Sequence, residues 1–189
     1  MNDPLHLLAE RRSAPSRQLG EPGPDAATLE RLLSEAVRVP DHGKLTPWRL
    51  LVLHGEAKLE LGRQLAAMAL TKHPDMPEAK QNKERHRYTH APLVIAVISR
   101  RDPASRIPEQ EQLLSAGCVA YNLLLAAQGL GFGAQWLTGW AAYDRDAADV
   151  LGLADDEHVI GFVHIGTPRV DIPERVRPAL ADVVSTWTP

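Results

Sequence analysis

Apolar residues recur along this chain with two different periods, and the changes of period divide it into elements. Leu29, Leu32, Leu33, Ala36 and Val37 keep the i, i+3, i+4, i+7, i+8 spacing of one helical face, with Asp25 where an N-cap belongs. The short apolar run 50–53 ends at His54-Gly55 and predicts a strand. Residues 56–70 return to helical spacing through Leu59, Leu61, Leu65 and Met68. Residues 73–77 break the chain, and the charged stretch 78–88 predicts an exposed helix whose lysines and arginines form a solvated face. Residues 93–99, L-V-I-A-V-I-S, are continuously apolar, as expected of a strand buried on both faces.

Pro108 opens the longest predicted helix, with Glu109 and Glu111 near its positive end. Over residues 113–127 this helix is apolar almost all round, interrupted by Ser115, Tyr121 and Asn122, which predicts burial in the core or in a subunit interface. Cys118 lies on it and is expected to be a small core residue. A short helix over 144–151 and a last core strand over 158–165 follow. The tail, residues 166–189, has four prolines and few core residues, and is expected to lie on a neighbouring subunit. At the other end, Asp3 and Pro4 make an N-cap and first-turn pair for a helix that Pro15 must end.

A chain of 189 residues with this apolar content is expected to form a single domain, 1–189. It is long enough to bury about 70% of its unfolded surface without staples. The formal net charge of −3 gives no footprint for nucleic acid or an anionic membrane surface. No run of eighteen apolar residues exists to span a bilayer. One cysteine and a charged N-terminal stretch without an apolar core lead to the expectation of a reducing, cytoplasmic setting.

The stretch R-V-P-D-H-G-K-L-T-P-W, residues 38–48, is the part hardest to explain as packing. Its prolines, glycine and aspartate forbid helix or central strand, so the backbone is a shaped loop. Arg38, His42, Lys44 and the Trp48 indole on such a loop suit a flat anionic ligand; a solvated corner whose tryptophan plugs the core is the other reading, and these residues alone leave both open. Arg11-Arg12-Ser13, at a helix end, is a compact set of phosphate-type donors, or simply a helix end in water.

Other motifs carry less. Gly129-x-Gly131-x-Gly133 follows a helix instead of a strand, so it is not a dinucleotide fingerprint. His86 and His90 have i, i+4 spacing but lack the glutamate of a metalloprotease helix. No nucleophile elbow, phosphate-binding P-loop or paired zinc cysteines occur.

Taken in order, the R-R-S triplet, the P-D-H…P-W loop, the Gly-rich turn into Trp136 and G-F-V-H-I-G-T-P at 161–168 resemble the nitroreductase family of flavoproteins, and within it the YdjA-like NAD(P)H nitroreductases. The resemblance spans nearly the whole chain. It implies an α+β fold with a central, mostly antiparallel sheet between helices, a homodimer whose C-terminal tail reaches the partner subunit, and FMN in the interface pockets. It implies FMN binding by Arg11, Arg12, Ser13, Arg38, His42, Trp136, Leu137 and Thr138, with Ala126, Ala127, Gln128, Gly129, Leu130 and Gly131 matching a stretch that meets NAD(P)H. The implied activity is hydride transfer from NAD(P)H through FMN to a small electron-poor acceptor such as a nitroaromatic or quinone. Alternatives are another flavin reaction on the same fold, fragmentation or dehalogenation, or a flavin-binding dimer with little turnover. One departure stands out: relatives read W-R-S/T-G where this chain has Trp136-Leu137-Thr138-Gly139.

Overall fold

The computed structural model of the protein describes residues 4–189, so the expected cap at Asp3 lies outside the described residues. Helix α1 (Pro4–Glu10) ends five residues before Pro15 and leads through Arg11–Ser13 into a two-residue strand, β1 (Leu19–Gly20). Helix α2 (Ala26–Ala36) begins where expected, with Asp25 accepting a hydrogen bond from the Thr28 N–H at 2.8 Å. Then come β2 (Trp48–His54), α3 (Glu56–Lys72), α4 (Glu78–Arg85), β3 (Leu93–Arg100), α5 (Glu109–Gly129), β4 (Gly133–Leu137), α6 (Arg145–Val150), β5 (Glu157–Pro168) and α7 (Leu180–Val183).

All pairings in the five-stranded sheet are antiparallel, as expected, in the order β2–β3–β5–β4, with β1 joining the C-terminal end of β5. The apolar run of β3 is central and buried along residues 93–99, whereas β2 is an edge strand and only half-buried. Helices cover both faces. On one, α2 and α5 pack through Leu32, Leu123 and Ala127 onto Ile95, Val163 and Ile165. On the other, α3 and α6 pack through Leu61, Leu65 and Ala147 onto Val94, Ile98 and Phe162. A bidentate pair, Arg49 to Glu157 at 2.6 and 2.7 Å, ties β2 to the start of β5 across β3.

Two expectations are revised. Helix α4 is not wholly solvated: Glu84 is buried, held by Arg87 at 2.6 and 2.9 Å and by the Trp140 indole N–H at 3.0 Å. Cys118 is exposed, because α5 buries only the face carrying Ser115, Ala116, Val119, Ala120 and Leu123. Its opposite face, Leu113, Leu114, Cys118 and Tyr121, is bare in the single chain. The tail beyond β5 is exposed except for half-buried Ile172, which packs on Ala14, Leu19 and Ala91.

Among the described residues no helix is long and apolar enough to cross a membrane.

Candidate functional site

Helix α5 is the spine on which the candidate residues are hung, and its polar interruptions are the hooks. Ser115 Oγ donates to the Pro40 carbonyl at 2.7 Å and accepts from Trp48 Nε1 at 3.2 Å, fixing both ends of the loop. Asn122 Nδ2 donates to the Arg38 carbonyl at 3.1 Å. Gln128 Nε2 donates to the Leu7 carbonyl at 3.2 Å and so fastens α1. An amide or hydroxyl facing a packed layer needs a partner, and each of these finds one on a candidate segment.

The loop itself is under backbone strain. Gly43, Lys44 and Thr46 have φ of 70°, 55° and 49°, a left-handed conformation that lysine and threonine rarely adopt. Asp41 compensates: its carboxylate accepts from the Leu45 N–H at 3.1 Å and the Thr46 N–H at 2.9 Å. The result is a rigid platform that holds His42 outward, with Nδ1 2.7 Å from Glu111 Oε2. Arg38 is also exposed, and among the described residues its side chain has only a long 3.8 Å contact, to Glu35.

Arg11, Arg12 and Ser13 are seated against β4 by the Ala14 N–H, which donates to the Ala134 carbonyl at 3.0 Å. The Ser16 N–H adds a bond to Gln135 Oε1 at 2.6 Å. Arg11 Nη1 donates to Ser13 Oγ at 3.2 Å, and Arg12 Nη1 to the Ala9 carbonyl at 3.0 Å. The other side of the Arg12 guanidinium is taken by the Glu174 carboxylate from the tail. Glu174 also meets Arg177 at 2.9 Å, and Arg177 reaches the Arg11 carbonyl at 3.4 Å. Against the opposing pull of desolvation, the Arg175 N–H and the Arg12 and Arg177 guanidinia hold the Glu174 carboxyl below its ordinary range.

Along β4, Trp136 lies over β5. Its Nε1 donates to the Ile160 carbonyl at 3.2 Å, and a Cβ at Gly161 would stand 2.0 Å from that nitrogen, so glycine is required there. Leu137 and Thr138 are half-buried. Of the remaining candidates, Ala126, Gly129 and Leu130 border a groove of about 430 Å³ shared with Leu7, Arg38 and Asn122. Gln128 is committed to Leu7, Gly131 is exposed with φ of 86°, and Ala127 is wholly buried in the core, so its side chain meets only packing neighbours.

These residues fall into separate sets. The triplet and β4 adjoin through Ala14 and Ala134, and Arg38 adjoins the end of α5 across the groove. His42 is held by Glu111, which is eighteen residues along α5 from Gly129, roughly 27 Å at the helical rise, while His42 itself follows Arg38 by four residues. The strands that follow or carry the sets, β2 and β4, are on opposite edges, about 14 Å apart across three strand spacings. The anchors Ser115, Asn122 and Glu111 had a visible signal, polar residues on an otherwise apolar helix. Glu174 and Arg177 had none, because only folding brings the tail to the triplet.

The donor set fits a phosphate-bearing cofactor on the geometry just described: Arg12 already donates to an oxyanion, the tail carboxylate, as it would to a phosphate oxygen. Known proteins identify the family. A family model described as "Nitroreductase family" matches residues 8–167. A Haemophilus influenzae protein named "Putative NAD(P)H nitroreductase" is 38% identical over 87% of this chain and 88% of its own length. The Escherichia coli K12 protein named "Putative NAD(P)H nitroreductase YdjA" is 32% identical over 89% of this chain and 90% of its own. Among solved structures, a variant of the FMN and NADPH-dependent nitroreductase NfnB from Sphigopyxis sp. strain HMH superposes with a TM-score of 0.76 at 21% identity, covering 99% of this chain and all of that one. With the antiparallel sheet, the R-R-S triplet and the P-D-H loop in these places, the chain belongs to the nitroreductase family.

Proposed function

We propose that the protein is an FMN-dependent NAD(P)H oxidoreductase, a cytoplasmic homodimer that passes a hydride from NAD(P)H through FMN to an electron-poor acceptor such as a nitroaromatic or quinone. The Arg12 guanidinium facing a carboxylate at the R-R-S triplet carries this reading, since it is a formed oxyanion seat rather than a row of solvated cations. The relatives' printed names and the FMN and NADPH dependence printed for NfnB support it.

In this reading Arg11, Arg12 and Ser13 bind the FMN phosphate, and Arg177 joins them once Glu174 yields its place. Arg38 offers positive charge, and His42 a ring N–H donor, where a reduced flavin gathers negative charge. Glu111 orients the His42 ring through Nδ1 and leaves Nε2 for the ligand. Trp136, Leu137 and Thr138 wall the flavin, and the groove beside Ala126, Gly129 and Leu130 receives part of the nicotinamide nucleotide. The bound flavin supplies the hydride-accepting and hydride-donating chemistry, so no side-chain nucleophile is called for. With His42 exposed on its loop and one face of α5 bare, a second copy of the chain is the natural source of a complete pocket.

The test is direct. Purified protein is expected to be yellow, to release FMN on denaturation, and to lose its flavin absorbance when mixed anaerobically with NADH or NADPH. Colourless protein that takes up no added FMN overturns the reading. Protein that binds FMN but is not bleached by either nucleotide favours the second reading, a flavin-holding dimer with little turnover, for which Leu137 in the place of the relatives' arginine is the motivating feature.

A further inference from the structure

A small chamber lies on the face of the sheet opposite α5, between α3, α4 and the turn of 3₁₀ helix Trp140–Ala142 that follows β4. Its volume is about 200 Å³. An apolar cavity of roughly 150 Å³ holds one benzene ring, and drug-sized ligands need about 300–1,000 Å³, so this chamber is sized for a single ring. Ala69, Met76 and Trp140 supply the apolar wall. An indole face and a thioether are both good neighbours for an aromatic ring.

The charges around it are unevenly spent. Each carboxylate bordering the chamber already has its cation: Glu84 is held by Arg87 at 2.6 Å, and Asp144 by Lys72 at 2.5 Å. Glu84 is further occupied by the Trp140 N–H. Lys80 and His73 border the same chamber and have no side-chain hydrogen bond or ion pair among the described residues. A second depression of about 420 Å³ shares Lys72, His73, Met76 and Lys80 with it and adds Pro74 and Asp75. An anion entering the chamber therefore meets two donors, Lys80 and His73, that neither of its bordering carboxylates has claimed.

We propose that this chamber binds a single-ring aromatic carboxylate, with the ring against Trp140 and Met76 and the carboxylate at Lys80 and His73. The ligand chemistry follows from the volume, which admits one ring, and from the unpaired donors, which call for an anion. The site is separate from the candidate flavin residues of α5, but it is tethered to them, because Trp140 lies three residues beyond Leu137 on a continuous stretch of chain. Occupancy that moves Trp140 is thereby felt at the end of β4.

Calorimetric titration of the protein as purified, with benzoate as the probe, tests this. One benzoate is expected to bind per chain, and benzamide, of the same shape without the charge, to bind at least about tenfold more weakly. Losing one charge-assisted contact corresponds to a roughly ten- to hundred-fold drop, which is the change expected for Lys80→Glu. Lys80 is exposed, so this variant leaves the fold intact. Ala69→Leu, which fills the chamber, is expected to abolish the heat. No binding of benzoate by wild type, benzamide as tight as benzoate, or benzoate affinity unchanged in Lys80→Glu would each overturn the proposal. None of these results bears on FMN binding, so the flavin reading stands or falls separately.

Discussion

Glu174 of the tail sits on the guanidinium of Arg12, 162 positions earlier in the chain, and shares Arg177 with it as a second cationic neighbour. A carboxylate in the seat proposed for a phosphate is a competitor for it. Removing the competitor and removing the seat should therefore have opposite effects.

Charge reversal at Arg12 is expected to weaken FMN binding by about 1.5–3 kcal/mol, roughly ten- to a hundred-fold, and riboflavin binding hardly at all. Glu174→Ala is expected to strengthen FMN by a few-fold, again without effect on riboflavin. Fluorescence titration of both flavins with both variants decides it. Equal losses for FMN and riboflavin in Arg12→Glu would show that Arg12 does not meet the phosphate.

The bare face of α5 predicts the assembly. Leu114 is 60% exposed in the single chain, and it lies beside Leu113, Cys118 and Tyr121 on a 21-residue helix. A contiguous apolar strip of this kind marks an interface. Sedimentation is expected to show a dimer at micromolar concentration, and Leu114→Glu a monomer, because an unpaired charge in an apolar interface costs several kcal/mol. A wild-type monomer loaded with flavin would refute the homodimer.

Leu137→Arg is expected to alter the preference for acceptor or nicotinamide without abolishing FMN binding. A leucine here presents an apolar wall where the family resemblance implies a cation, which disfavours anionic ligands relative to neutral aromatic ones. A partly buried charge contact is worth about 1.5–3 kcal/mol, or ten- to a hundred-fold in a ratio of kcat/KM values. Comparing a neutral with an anionic nitroaromatic, and NADH with NADPH, measures that ratio. Ratios within about twofold of wild type, ~0.4 kcal/mol, would mean that the side chain faces away from the ligands.

His164 gives a prediction about pH. It lies on β5 with neither ring nitrogen bonded, 1% exposed and stacked on Tyr88 at 6.0 Å. Burial, with the nearby positive charges of His90, Arg87 and Lys58, pushes its imidazole from 6.5 down to about 4. The unfolded chain therefore binds the proton first as pH falls below 6.5. Stability conferred by the neutral ring is complete above that pH and is lost progressively down to about 4, amounting to about 2 kcal/mol of loss by pH 5. Urea unfolding of wild type and His164→Leu at pH 7 and pH 5 reads the difference. The variant should lose about 2 kcal/mol less than wild type over that interval. An equal acid loss in both proteins would show that His164 is not the group responsible.

The helices and strands were legible in the sequence because periodicity is a local property: α2 begins after Asp25, α3 after Gly55, and β3 coincides with its apolar run. The triplet and the P-D-H loop could be singled out as well, since their residue types have a ligand-binding explanation beside the solvated one. The sequence did not reveal what depends on distant partners. Glu84 looked solvated because its partners include Trp140, 56 positions away, and Cys118 looked buried because composition does not say which face of an apolar helix the sheet will cover. By itself the sequence determined the elements, the family and the cationic groups proposed to hold a phosphate. Only the tertiary structure decided that a tail carboxylate occupies Arg12, that Asp41 and Ser115 hold a strained loop in place, and that Lys80 borders a ring-sized chamber. Local spacing follows from the geometry of one helix or strand, whereas a charge acquires its role from whatever the rest of the chain brings within hydrogen-bonding distance.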